Sequence, residues 1–299
     1  MTDAAKGVCA IAAAATIWGL SGLYYKALDH VPPLEVLSHR TLWSLVFFGT
    51  VLLLQHRAGE IRAACLSGRA WRVIPFAAVC ISANWFAFIF AVQSGHALDA
   101  SLGYYAFPLV AVALGYLVLG ERYSRLRLCA IGCAGLAVAV LFAGLGTAPW
   151  IALLIAGSFG FYGLLKNRLA LGPVLSVFLE TLVLAPLALA WLWGAAELGW
   201  SDIGGRAGGQ FGADWRTGAL LVLSGPLTGG PLILFSYAAR RISYAALGLV
   251  QYLNPSLQFA VALAAFGEAL TIWHAVAFPL IWTGLALFSV ESWRGRDDA

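Results

Sequence analysis

The residues most able to do chemistry in this chain lie inside apolar runs, where a polar atom costs several kcal/mol unless it is paired or faces water. Glu180 is the one carboxylate well inside such a run, and His39 and Arg40 lie one to two turns inside another. Two readings of these charges stand. In the first, Arg40 captures an anionic group such as a carboxylate, and Glu180 is a proton or amine site. In the second, Arg40 reaches back to lipid headgroups, and Glu180 caps a neighbouring helix or pairs with a base such as Lys166.

Uncharged polar side chains recur near the middle of the other runs. They are Trp18 and Ser21, Asn84 and Trp85, Tyr104 and Tyr105, Ser158 and Tyr162, Thr228, Ser236 and Tyr237, then Gln251, Tyr252 and Asn254. A ring with one polar atom suits an amphipathic ligand, since the ring packs while the OH or NH orients. The competing reading is a hydrogen bond between helices, worth roughly 1 kcal/mol, and it fits the three serines. The candidate lining is therefore Trp18, Asn84, Trp85, Tyr104, Tyr105, Tyr162, Tyr237, Gln251, Tyr252 and Asn254. Glu35, Asp99, Glu121, Glu268 and His274 fall at run ends, where a solvated or helix-dipole role is expected.

Missing motifs narrow the classes. There is no G-x-x-x-x-G-K-[ST], no metal-ligand spacing, no Ser-His-Asp arrangement and no TVGYG filter. Cys9, Cys65, Cys80, Cys129 and Cys133 follow no metal pattern and read as small apolar residues. No metal, cofactor, ATP or nucleic-acid partner is expected. A membrane enzyme would need convergent acid/base groups at one interface, and none can be assembled. The expected partners are a small-molecule substrate and the lipid bilayer.

Positioning such residues requires membrane helices. The chain is 61% hydrophobic and 11% charged, with a mean hydropathy of +0.85, against about 25% charge in a soluble domain. Ten runs reach the roughly twenty residues needed to span a bilayer, at about 7–28, 36–54, 73–93, 98–119, 126–145, 149–168, 173–194, 217–239, 245–266 and 270–290. The fold class is an all-α membrane protein of ten transmembrane helices. With the amino terminus in the cytoplasm, 14 of the 18 Lys and Arg residues fall on the cytoplasmic side, leaving Lys26, Arg40, Arg206 and Arg216 opposite. That bias sets the topology, with both termini cytoplasmic. Lys6 before an apolar run imitates a secretory signal, but the run continues to Lys26 and is expected to remain as a helix.

The ten runs read as a duplication. Tyr105, Pro108, Gly120 and Glu121 match Tyr252, Pro255, Gly267 and Glu268 at a constant spacing of 147. Gly19-x-x-Gly22 corresponds to Gly160-x-x-Gly163, and Thr41-Leu42 to Thr181-Leu182, which makes Arg40 the mate of Glu180. Five helices per half is an odd number, so the second half must be inverted, with repeats at 1–147 and 148–299. Inverted repeats enclose a site near the midplane, marked by Pro- or Gly-interrupted helices. Pro108 and Pro255 are the candidate hinges, and Thr228-Gly229-Gly230 between Pro226 and Pro231 looks like a weak point. Lining is expected from helices one, three, four, six, eight and nine. Helices five and ten, with small-residue faces such as Gly132-x-x-Gly135, are expected to be structural.

These residues resemble EamA-type proteins of the RarD-like branch of the drug/metabolite transporter superfamily. The resemblance runs through Leu37-Ser38-His39-Arg40, Trp43-Ser44, Asn84-Trp85, Ala100-Ser101-Leu102-Gly103-Tyr104 and Leu119-Gly120-Glu121-Arg122. It continues in Phe161-Tyr162-Gly163, Glu180-Thr181, Gln251-Tyr252, Asn254-Pro255 and Gly267-Glu268. It implies two inverted five-helix repeats, a central cavity, alternating access and export of small metabolites across the bacterial inner membrane. Amino acids, aromatic ones included, are the substrates it suggests first, with drugs or nucleosides as the alternative. A membrane-embedded structural or sensory subunit is the non-transport alternative. One departure stands out: Phe107 replaces the Asn that such proteins carry before the fourth-helix Pro.

Overall fold

The computed structural model describes residues 2–119, 124–145, 149–167, 169, 171–202 and 205–297. Gly120, Glu121 and Arg122 of the sequence comparison lie outside the described residues, as does Arg168. Among the described residues the regular elements are helices: α1 (Asp3–Ala27), α2 (Pro33–Leu54), α3 (Ala58–Leu66), α4 (Gly68–Trp71), α5 (Ile74–Gln93), α6 (Ala97–Leu119), α7 (Arg125–Leu145), α8 (Trp150–Lys166), α9 (Pro173–Glu197), α10 (Trp215–Ala239), α11 (Tyr244–Gln251), α12 (Leu253–Ala264) and α13 (Ile272–Asp297). Seven of these are long and apolar enough to cross a membrane, and Leu128–Gly144 and Trp150–Lys166 are shorter apolar helices. The protein is an all-helical membrane protein. Each expected apolar run falls on helix among the described residues, the ninth on the α11–α12 pair, and α3 and α4 are additions within a stretch that carried only basic-loop signals.

Local chemistry sets the boundaries. Thr2, Asp214 and Ser243 cap α1, α10 and α11 through their side-chain oxygens, and Pro33 and Pro173 open α2 and α9, where a missing N–H loses nothing. Gly95 (φ +76°) and Gly267 (φ +67°) close α5 and α12 in the left-handed region that favours glycine. The α10 cap is charged, and donation from Thr217 holds the Asp214 carboxyl below the ordinary aspartate range.

The break falls elsewhere than the proline pattern suggests. α10 runs continuously through Pro226 and Pro231, so Thr228-Gly229-Gly230 is not a weak point in it. α6 likewise runs through Pro108. Of the symmetric proline pair only Pro255 accompanies an interruption, at Tyr252 between α11 and α12. Pro255 has no N–H to return to the carbonyl of Gln251, a loss that Pro108, Pro226 and Pro231 also carry without ending their helices.

α7 packs against α13, α6 against α8, α2 against α9 and α10, α1 against α10 and α12, and α5 against α8. The α7–α13 seam corrects the sequence expectation. A Cβ on Gly132 or Gly135 would meet nothing within 4 Å. The close approach is made instead by Gly284 of α13, whose Cβ would lie 2.9 Å from the Ala130 carbonyl and 3.2 Å from Cys133. Gly225 of α10 lies against the backbone of Trp43 in α2, and Gly229 lies against the Phe47 ring. Gly225→Ala is therefore expected to force α2 and α10 apart, at about 1–3 kcal/mol. A lowered unfolding midpoint in detergent checks this.

One end of the bundle is covered by a strap, described at 198–202 and 205–214, between α9 and α10. Arg206 donates to Asp29 O (2.8 Å), Gln93 Oε1 (3.2 Å) and Asp202 (3.0 Å). Glu35 is fully buried and accepts from the backbone N–H groups of Gly209 (2.9 Å), Gln210 (2.7 Å) and Phe211 (3.2 Å). Glu35 is thus an anchor, not a solvated helix end. Glu268 accepts from Ala97 N (2.7 Å) and Leu98 N (2.8 Å), so the dipole it meets is that of α6. Asp99 and His274 meet at 3.2 Å in the same region.

Candidate functional site

Two buried polar centres, each around one charged side chain, are joined by aromatic rings. The first surrounds Arg40. It is 8% exposed and does not reach out to headgroups. Its guanidinium lies 4.1 Å from the Trp85 ring centre and 5.6 Å from that of Tyr25, distances at which the ring face attracts a cation. Arg40 Nε donates to Thr228 Oγ1 at 3.0 Å, and Thr228 in turn donates to Ser224 O at 2.8 Å. The close α2–α10 contact at Gly225 and Gly229 brings Thr228 within that reach. Among the described residues the Nε bond is the one hydrogen bond of the guanidinium, and neither Nη1 nor Nη2 makes a hydrogen bond or ion pair.

The second centre surrounds Glu180, which is fully buried. It accepts from Lys166 Nζ (2.8 Å), Ser176 Oγ (2.8 Å) and Tyr162 OH (2.9 Å). Lys166 also reaches Ser176 and sits 5.0 Å from the Tyr162 ring centre. Of the two readings of Glu180, the geometry is that of the pair with Lys166.

Between the centres runs a ladder of rings. Tyr25 meets Phe88 at 5.7 Å, Phe88 meets Tyr104 at 5.8 Å, Tyr104 meets Phe159 at 6.3 Å and Phe159 stacks on Tyr162 at 6.0 Å. Phe107 joins it 4.7 Å from Phe159. Tyr104, Phe107, Phe159 and Tyr162 are half-buried.

The remaining candidates divide. Trp85, Tyr104 and Tyr162 belong to the ladder or its ends. Asn84 is spent on packing: it donates to Ile155 O (3.1 Å) and Ser158 (3.4 Å) and accepts from Tyr104 OH (2.9 Å), clamping α5 to α8. Tyr105 turns to the opposite side, bonded to Ser256 (2.6 Å) and packed on Phe278 and Trp282. Tyr237 lies under Arg241 at the far end of α10. Trp18 meets Phe235 at 6.3 Å, and Asn254 accepts from Gln258 at 3.0 Å. Gln251 Oε1 and His39 Nε2 are buried without hydrogen-bond partners, and the His39 ring stacks on Phe211 of the strap at 4.6 Å. Tyr252 is half-buried at the helix break. Tyr25, Phe88 and Phe159 were not singled out from sequence. The three- and four-residue steps from Trp18 to Ser21 to Tyr25, and from Phe159 to Tyr162, were the available signals.

Comparison with known proteins agrees with this architecture. Residues 5–143 match the EamA-like transporter family. An uncharacterized transporter of Vibrio cholerae is 38% identical over 97% of this chain and 93% of its own. Protein RarD of Salmonella typhimurium is 35% identical over 96% of this chain and 95% of its own. A solved crystal structure shares the fold with a TM-score of 0.59 at 18% identity, covering 94% of this chain and 96% of that one. The chain belongs to the drug/metabolite transporter superfamily, as an EamA-type permease of the RarD-like branch.

Proposed function

We propose that the protein is a ten-span secondary transporter of the bacterial inner membrane that exports small amphipathic metabolites, amino acids foremost, by alternating access. Its units are two inverted five-helix repeats, 1–147 and 148–299, with both termini cytoplasmic. The crossings are α1, α2, α5, α6 and α7, then α8, α9, α10, the α11–α12 pair and α13. Exchanging these sets in order converts the α6–α8 contact into that of α1 with α11 and α12, and the α1–α10 contact into that of α5 with α8. Individual residues follow the exchange. A Cβ on Gly19 would meet Leu257, and one on its mate Gly160 would meet Val110, which stands 147 residues before Leu257. Such symmetry lets one set rock against the other around a shared central site.

The observation that carries the reading is the ladder, because its rings come from both sets and connect a buried cation to a buried carboxylate. A half-buried aromatic path with polar ends fits a solute carrying both apolar and charged parts. Counterflow in proteoliposomes tests it. Vesicles holding the purified protein are expected to exchange labelled phenylalanine, chloramphenicol or uridine faster than protein-free vesicles. Equal rates for all three sink the proposal.

A further inference from the structure

Resting on the carrier reading above, we propose that Arg40 is the carboxylate receptor of the transported molecule, taken by the end-on Nη1–Nη2 edge of its guanidinium. A buried cation is tolerated when a carboxylate neutralises it, and stranding one in low dielectric is unfavourable. Arg40 is 8% exposed and has no acidic partner among the described residues. Trp85 and Tyr25 supply ring faces, which orient a guanidinium without cancelling its charge.

The repeat correspondence sharpens this. At the spacing of 141 that relates Gly19 to Gly160, Tyr25 corresponds to Lys166, and Arg40 is the mate of Glu180. The contact of Tyr25 with Arg40 is thus the counterpart of the Lys166–Glu180 pair. The second half closes its buried charge with an internal counter-ion. The first half puts a neutral phenol at that position and leaves its charge to be matched from outside the chain.

The free edge has the right form. Nε is occupied by Thr228, whose own proton is committed to Ser224 O, so the hydroxyl faces Arg40 as an acceptor. The Trp85 ring centre lies 4.1 Å from the guanidinium carbon. Four N–H groups remain, and the two on the end-on edge run parallel, the donor pattern that binds a carboxylate bidentately. Half-buried Tyr104 follows along the ladder, backed by the buried Phe88 ring, and offers apolar surface to the rest of such a molecule.

Binding to the unmodified protein tests this. In detergent, benzoate, 3-phenylpropionate and phenylalanine are each titrated against their own amides, with the thermal midpoint as readout. At least one acid is expected to raise the midpoint saturably, with its amide at least tenfold weaker. No preference for any acid over its amide overturns the proposal. Arg40→Met is expected to melt at or above the unliganded wild type, because a lone buried charge is removed, and to bind acid and amide alike. A folded Arg40→Met that keeps the tenfold preference overturns the proposal, and the wild-type comparison decides it even if that variant does not fold. Counterflow without acid preference leaves the carrier reading standing and removes Arg40 from it. Acid-selective binding without counterflow does the reverse.

Discussion

Lys166→Met is expected to destabilise the folded protein by about 3 kcal/mol, while the double variant Lys166→Met with Glu180→Met recovers most of that loss. Glu180 is fully buried, and its ion pair with Lys166 is 2.8 Å long. Removing the cation leaves a carboxylate held only by Tyr162 and Ser176. Two neutral donors do not match the charge, so the single variant carries a desolvated anion. Removing both charges leaves apolar side chains beside the two neutral hydroxyls of Tyr162 and Ser176, with no stranded charge. A double-mutant cycle on unfolding midpoints in mixed micelles should therefore give a coupling of several kcal/mol. Additive effects would mean that the pair is solvated in the membrane-embedded protein.

Glu35→Ala is expected to release the strap without unfolding the bundle. Three backbone N–H groups, on Gly209, Gln210 and Phe211, share the Glu35 carboxylate. Left buried without an acceptor, such groups cost about 1–3 kcal/mol each. The strap has a cheaper course, which is to lift away and hydrate. Trypsin reads this at Arg206, whose side chain is now tied to Asp29, Gln93 and Asp202. A loss of about 3 kcal/mol corresponds to a roughly 100-fold larger open population, and cleavage should rise accordingly. An unchanged cleavage rate would show that the strap is held by its aromatic contacts, chiefly Phe211 on His39.

The helices were legible because an apolar run long enough to be a membrane helix is a one-dimensional signal. α3 and α4 escaped because Ala58–Leu66 and Gly68–Trp71 are short and mix charge with small residues. Arg40, Trp85 and Thr228 could each be picked out, yet their meeting depends on the closeness of α2 and α10 at Gly225, a packing fact. Tyr104 and Tyr105 mark the limit of reasoning from depth alone. They sit at one level, but successive helical residues point about 100° apart. One faces Asn84, and the other faces Ser256 and α13. Tyr25, Phe88 and Phe159 were hidden because, in a chain that is 13% aromatic, a ring on an apolar face reads as core.

The close α2–α10 seam has a mechanical corollary. Gly225 admits the main chain of Trp43, and the Phe47 ring seats in the notch that Gly229 leaves. Two rods keyed together in that way resist sliding along their axes until the ring is lifted from its notch. The Arg40–Thr228 bond is a polar tie across that seam. Whatever draws on the guanidinium therefore pulls directly on the latch between the two rods.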